Sequence, residues 1–138
     1  MKNFIKLSAL LVLVFVATSC DQKTDKEIET INAELMKGHD EIMPKTMMIA
    51  DLKKNLLAAA EGKSEELKNQ ALEISTNLQK AEDDMYLWME NYGKAMNDVE
   101  DKTEKLKLYK ELNTEVKSLK DLTVKSMDDA KKFVESNK

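Results

Sequence analysis

Residues 64–101 read SEELKNQALEISTNLQKAEDDMYLWMENYGKAMNDVED, and their apolar positions fall alternately four and three apart: Leu67, Ala71, Ile74, Leu78, Ala81, Met85, Trp88, Tyr92, Ala95 and Val99. That spacing keeps the apolar side chains on one face of an α-helix and is incompatible with the two-residue period of a strand. Ser64 supplies a side-chain cap, and Glu65 and Glu66 place acids at the positive end of the helix dipole. The helix therefore begins at the serine and ends between Tyr92, where Gly93 permits a stop, and Val99. A helix with one apolar stripe must bury it against neighbours.

Those neighbours lie on either side in the sequence. Upstream, Ile28, Leu35, Ile42, Ile49 and Leu56 recur every seven residues, with Ile31, Leu52 and Ala59 filling the intervening turns, until Gly62 can terminate the run. Downstream, Asp101 or Thr103 caps a third helix carrying Leu106, Tyr109, Leu112, Val116, Leu119, Leu122, Met127, Ala130, Phe133 and Val134. Three helices of roughly 30–35 residues joined by short turns predict an all-α fold over residues 28–138. The expected form is an antiparallel up-down-up three-helix bundle about 45–50 Å long. Residues 64–101 carry ten acids and three lysines, and residues 102–138 carry seven acids and ten lysines, so the second and third helices attract.

The first twenty residues belong to something else. Lys2 and Lys6 precede an apolar stretch from Leu7 to Val16, and Ala17-Thr18-Ser19-Cys20 follows. A charged start, an apolar middle and small residues make a secretion signal. The stretch is about half of the ~20 residues that span a bilayer as a helix, which favours removal over a permanent anchor. The small residues before the cysteine resemble the lipobox, in which the thiol receives diacylglycerol before cleavage, although Ala17 stands where leucine is commoner. Cys20 is the only cysteine, so it has no internal disulfide partner, and acylation accounts for it. Several acyl chains, at ~0.8 kcal/mol per buried methylene, hold a protein on a membrane. Met1–Ser19 is thus read as the leader, and residues 20–27, polar and without periodicity, as the lipidated N-terminus and tether.

Removal of Lys2 and Lys6 leaves 20 lysines against 26 acids, a formal charge of −6. Such a balance disfavours nucleic acid and anionic lipid surfaces. The chain has no arginine, so bidentate clamping of phosphate is also missing. A single histidine, no second cysteine, and no glycine-rich phosphate loop or zinc motif argue against an enzyme.

Methionine is concentrated instead. Seven of the eight methionines after the leader occupy two windows: Met36, Met43, Met47 and Met48, then Met85, Met89 and Met96. Met36, His39, Met43 and Met47 are three, four and four residues apart and share a helical stripe. If the first two helices turn near Gly62 and run antiparallel, His39 stands level with Tyr86 and Met36 with Met89, and Tyr109 joins from the third helix. The candidate site is therefore His39, Met36, Met43, Met85 and Met89, flanked by Trp88, Tyr109 and Pro44. Three uses fit these residues. Methionines fill irregular gaps between helices. Neutral thioethers with one imidazole suit Cu(I), a soft monovalent ion, and the Trp88 face adds a cation-π contact. Methionine-rich grooves also accept partner helices. Pro44 should kink the first helix and free a carbonyl near Asp40. A haem on His39 would have little room among three helices, and the acid run Glu82-Asp83-Asp84 reads as a solvated face.

Two segments, His39-Asp40-Glu41-Ile42-Met43-Pro44-Lys45 and Ala81 to Tyr92 (AEDDMYLWMENY), resemble a group of small lipoproteins from Bacteroidota-type bacteria often labelled "viral A-type inclusion protein". The resemblance covers about Met36 to Leu119 and departs at Thr46, where a methionine is the pattern. It implies a helical envelope lipoprotein with no established activity. In such bacteria the acids after Cys20 (Asp21, Asp25, Glu27) fit surface export, which favours the outer membrane, whereas an enterobacterial rule reads Asp21 as inner-membrane retention. The expectation is a membrane-anchored envelope lipoprotein with a non-catalytic helical domain that acts by binding or by structure, with the membrane and an envelope protein as its candidate partners. The alternative is a copper(I)-binding lipoprotein.

Overall fold

The computed structural model describes the backbone of residues 4–138 and the side chains of residues 22–138. The expected leader, Met1–Ser19, and the expected lipidation site, Cys20, lie outside the described side chains. Four helices follow one another: α1 (Phe4–Thr46), α2 (Ile49–Ala60), α3 (Glu65–Asn97) and α4 (Lys102–Ser136). Every described element is a helix, and the long helices pack against one another.

The ends follow local chemistry. Ser64 Oγ accepts the Leu67 amide at 3.4 Å, and Asp101 Oδ1 accepts the Glu104 amide at 2.8 Å, so α3 and α4 both start on side-chain caps. Between α2 and α3 the chain turns at Gly62, whose φ of 72° favours a residue without a Cβ. Gly93 does not stop α3, which runs to Asn97.

Two boundaries differ from the sequence reading. The expected single first helix is two: α1 ends at Thr46, Met47 and Met48 form a turn, and α2 resumes at Ile49. Pro44 sits within α1 and cannot donate to the turn behind it. The break falls further on, where the Met48 amide bonds the Lys45 carbonyl at 3.0 Å, three residues back, in a tightened turn. Lys45 Nζ reaches back to the Glu41 carbonyl at 2.8 Å. The second difference concerns residues 22–27, read as tether. They continue α1 and are tied to α4 by Asp25–Lys102 at 2.8 Å and Glu27–Lys110 at 3.5 Å. The polar composition of this stretch reflects a helix face that pairs with lysines.

The same ladder continues up α1 and α4: Asn113 donates to Glu34 at 2.6 Å, and Lys120 pairs with Glu41. Both of these pairs are 79 residues apart in sequence, so the two helices advance together. Partner numbers run in opposite senses where α3 meets its neighbours. Trp88 Nε1 donates to the Leu112 carbonyl at 2.9 Å, and Lys105 reaches the Met96 carbonyl at 3.0 Å. Tyr92 Oη bonds Asn32 at 2.7 Å, whereas Lys53, which follows Asn32, donates to Gln79, which precedes Tyr92. Between α3 and α4, Glu73 acts on Lys125; among the described residues the ion pairs between helices join α1 to α4, and those on α3 run along the helix.

The core has two parts. One gathers Ile49, Leu56, Ala71, Ile74, Leu78, Ala81, Met127, Ala130 and Phe133. The other gathers Leu35, Ile42, Met85, Trp88, Ala95, Tyr109, Leu112, Val116 and Leu119. Between them in sequence stand three buried hydroxyls, Thr46, Thr123 and Ser126, beside the α1–α2 break. Thr46 Oγ1 donates to the Ile42 carbonyl at 3.3 Å and Thr123 Oγ1 to the Leu119 carbonyl at 2.8 Å, which satisfies them without a cross-helix partner.

Candidate functional site

The second core part holds the candidate residues, and Trp88 is its centre. Its indole is buried, with the N–H on the Leu112 carbonyl of α4. One ring neighbour is Tyr92, parallel within 1° at a centroid separation of 5.5 Å. On the other side stands His39, 6.5 Å away and inclined by 27°. Tyr92 in turn lies 5.9 Å from Tyr109, so His39, Trp88, Tyr92 and Tyr109 form a continuous aromatic row across α1, α3 and α4. Offset rings at such separations attract beyond the area they bury.

The protonation of the row follows from burial. Tyr92 and Tyr109 are both pushed above the ordinary phenol value by loss of solvent; the hydrogen bond from Tyr92 to Asn32 opposes this at Tyr92, and the neighbouring Tyr92 reinforces it at Tyr109. Both phenols therefore stay neutral at physiological pH. His39 Nδ1 lies 3.0 Å from Asp40 Oδ1, a contact that favours the tautomer with the proton on Nδ1 and the lone pair on Nε2.

The methionines divide by exposure. Met85 is sealed at 0% and packs the core. Met43 and Met89 are half-buried against the same cluster, one from α1 and one from α3. Met36 is 37% exposed, one turn before His39. Met47 and Met48, at 73% and 55%, stand out at the helix break, and Met96 is exposed near the end of α3. Pro44 is exposed on the surface of α1. The structure thus brings His39, Met43, Met85, Met89, Trp88 and Tyr109 to one part of the molecule, with Met36 at its edge and Met47 and Met96 outside. His39, expected level with Tyr86, instead meets Trp88, and Tyr86 faces solvent. α1 and α3 meet far more sparingly than either meets α4, so this edge is the loosest of the packing.

A feature absent from the sequence reading lies on the other side of Trp88. A groove of about 480 Å³ runs between α3 and α4, floored by Trp88, Leu119 and Leu122 and rimmed by Leu87, Asp84 and Glu115. Its one signal in the sequence is Leu87, an apolar residue off the α3 seam. The chain matches no family model, no curated protein and no solved structure.

Proposed function

We propose that this chain is a lipid-anchored protein of the cell envelope, made with a leader at Met1–Ser19, acylated at Cys20 and held on the outer membrane. In this reading the rest is an antiparallel up-down-up three-helix bundle without catalytic activity that works by binding or as a structural element. The observation that carries the proposal is the succession of Lys2 and Lys6, an apolar run too short to span a bilayer, and Ala17-Thr18-Ser19-Cys20. Two features of the helical domain accord with it. None of the helices among the described residues is long and apolar enough to cross a membrane. Residues 22–27 are braced on α4 by Asp25–Lys102 and Glu27–Lys110, and in this reading an acyl chain on Cys20 would stand close to the packed helices.

The test is chemical. Mass spectrometry of the membrane-extracted protein should find a chain beginning at Cys20 and carrying acyl groups. Cys20→Ala should leave the leader attached and abolish acylation. An unmodified N-terminus, or equal membrane retention of the variant after high-salt washing, overturns the assignment.

A further inference from the structure

We infer that the edge between α1 and α3 binds one soft monovalent metal ion, Cu(I), through His39 Nε2 and the thioethers of Met43, Met89 and Met36. The inference rests on the binding role proposed above and names its ligand; it does not depend on the lipid anchor. Three observations carry it.

The first is the disposition of the donors. His39 has Met36 three residues behind and Met43 four residues ahead, so the three side chains stand in one row on α1. The contact between His39 and Trp88 sets that row against α3, at the residue next to Met89. Met43 and Met89 pack against the same buried cluster from opposite helices. Donors from two helices thus border the edge at which α1 and α3 are least closely packed.

The second is the state of the imidazole. Asp40 occupies Nδ1, which leaves the Nε2 lone pair as the donor, and a carboxylate on the far nitrogen is the usual way a metal-bound histidine is oriented. The third is chemical selectivity. All four donors are neutral and three are thioethers, a set that stabilises a soft monovalent ion and offers little to Zn(II) or Mg(II). The Trp88 ring beside His39 adds a π face to the positive charge. Met85, sealed beneath, completes the packing and is not a ligand in this assignment.

The experiment uses the full chain carrying Cys20→Ser in detergent, so that no thiol competes for the metal. Cu(I) is titrated without oxygen against a chromogenic bicinchoninate chelator, with Trp88 emission followed in parallel. The expected result is transfer of one Cu(I) per chain, with emission falling in proportion and levelling at one equivalent, and no response to Zn(II). Ag(I) should behave as Cu(I) does. Met43→Leu/Met89→Leu keeps apolar volume and should lower Cu(I) affinity at least tenfold while helical content and melting temperature stay near those of the parent. His39→Ala should lower it similarly. Copper left on the chelator, or affinity unchanged in both variants, overturns the inference. Either failure leaves acylation at Cys20 unaffected, so the metal site and the anchor stand or fall separately.

Discussion

Gly38 shows how one missing methyl group sets the distance between two helices. A Cβ there would lie 2.9 Å from Val116 Cγ2 and 3.0 Å from Cγ1, closer than such atoms approach. Val116 is buried and β-branched, with its rotamer fixed by the helix, so it has no free direction in which to yield. Gly38→Ala gains about 1 kcal/mol of helix propensity, whereas overpacking a tight contact costs about 1–3 kcal/mol. The clash should win, and chemical denaturation should show a net loss of about 1–2 kcal/mol. In a Val116→Ala background the same change should be neutral or stabilising. Equal effects in both backgrounds would mean that the contact is unimportant.

At the scale of elements, the interruption between α1 and α2 has a stability consequence. Pro44 lies in an exposed turn of α1 and leaves the Asp40 carbonyl without its helical donor. Pro44→Ala restores that bond, and a proline inside a helix is disfavoured by about 3 kcal/mol relative to alanine. Because the chain has already accommodated the ring, part of this should be recovered: a gain of about 1–3 kcal/mol, read from the denaturation midpoint. No gain would show that the turn at Met47–Met48 is dictated by the packing around Thr46 and not by the proline.

The ladder between α1 and α4 makes a second prediction at this scale. Lys120 donates to the Glu41 carboxylate and holds it below the ordinary carboxylate value of 4.5, while Glu41 raises Lys120 above 10.5. A lowered carboxyl contributes stability at pH above its unfolded value, and that contribution disappears as the pH falls through the lowered one. A raised ammonium contributes below its unfolded value and loses it as the pH climbs through the raised one. The advantage of the parent over Glu41→Gln should therefore be constant near neutrality and shrink at both extremes, first on the acid side below about pH 4.5. Melting curves across pH in low salt test this, and added salt should reduce the difference because the pair is exposed.

Much of the fold was legible because the signals are local. The four-three alternation of α3, the heptads through Leu35, Ile42, Ile49 and Leu56, and the caps at Ser64 and Asp101 each depend on neighbours within a few residues, and each is where the spacing placed it. The break at Met47–Met48 was not, because Pro44 names a weak point without saying where a helix held on α4 will yield. Residues 22–27 looked like tether since their partners, Lys102 and Lys110, are distant in sequence and pair by charge, which leaves no apolar period. In the candidate site, counting from the turn at Gly62 set the height of the methionines. Their separation into sealed Met85, half-buried Met43 and Met89, and exposed Met36 depends on how α1 and α3 each rotate about their axes when packed, and no pattern in either helix alone reveals it.

For the molecule as a whole, the three buried hydroxyls beside the α1–α2 break matter most. Thr46, Thr123 and Ser126 lie in sequence between members of the two core parts, and α2 belongs to one part while the described portion of α1 belongs to the other. Cooperative units in proteins follow such boundaries. Native-state hydrogen exchange should therefore sort the amides of α3 and α4 into two protection classes that change near Ala81 and Thr123, and a Leu56→Ala variant should weaken the class containing α2 without moving the other. A single class throughout would show that the hydroxyl layer transmits stability as well as an apolar layer does. With two classes, the section built on α2 can melt and re-form on its own, so a protease could cut there while the section holding the aromatic row stays shut.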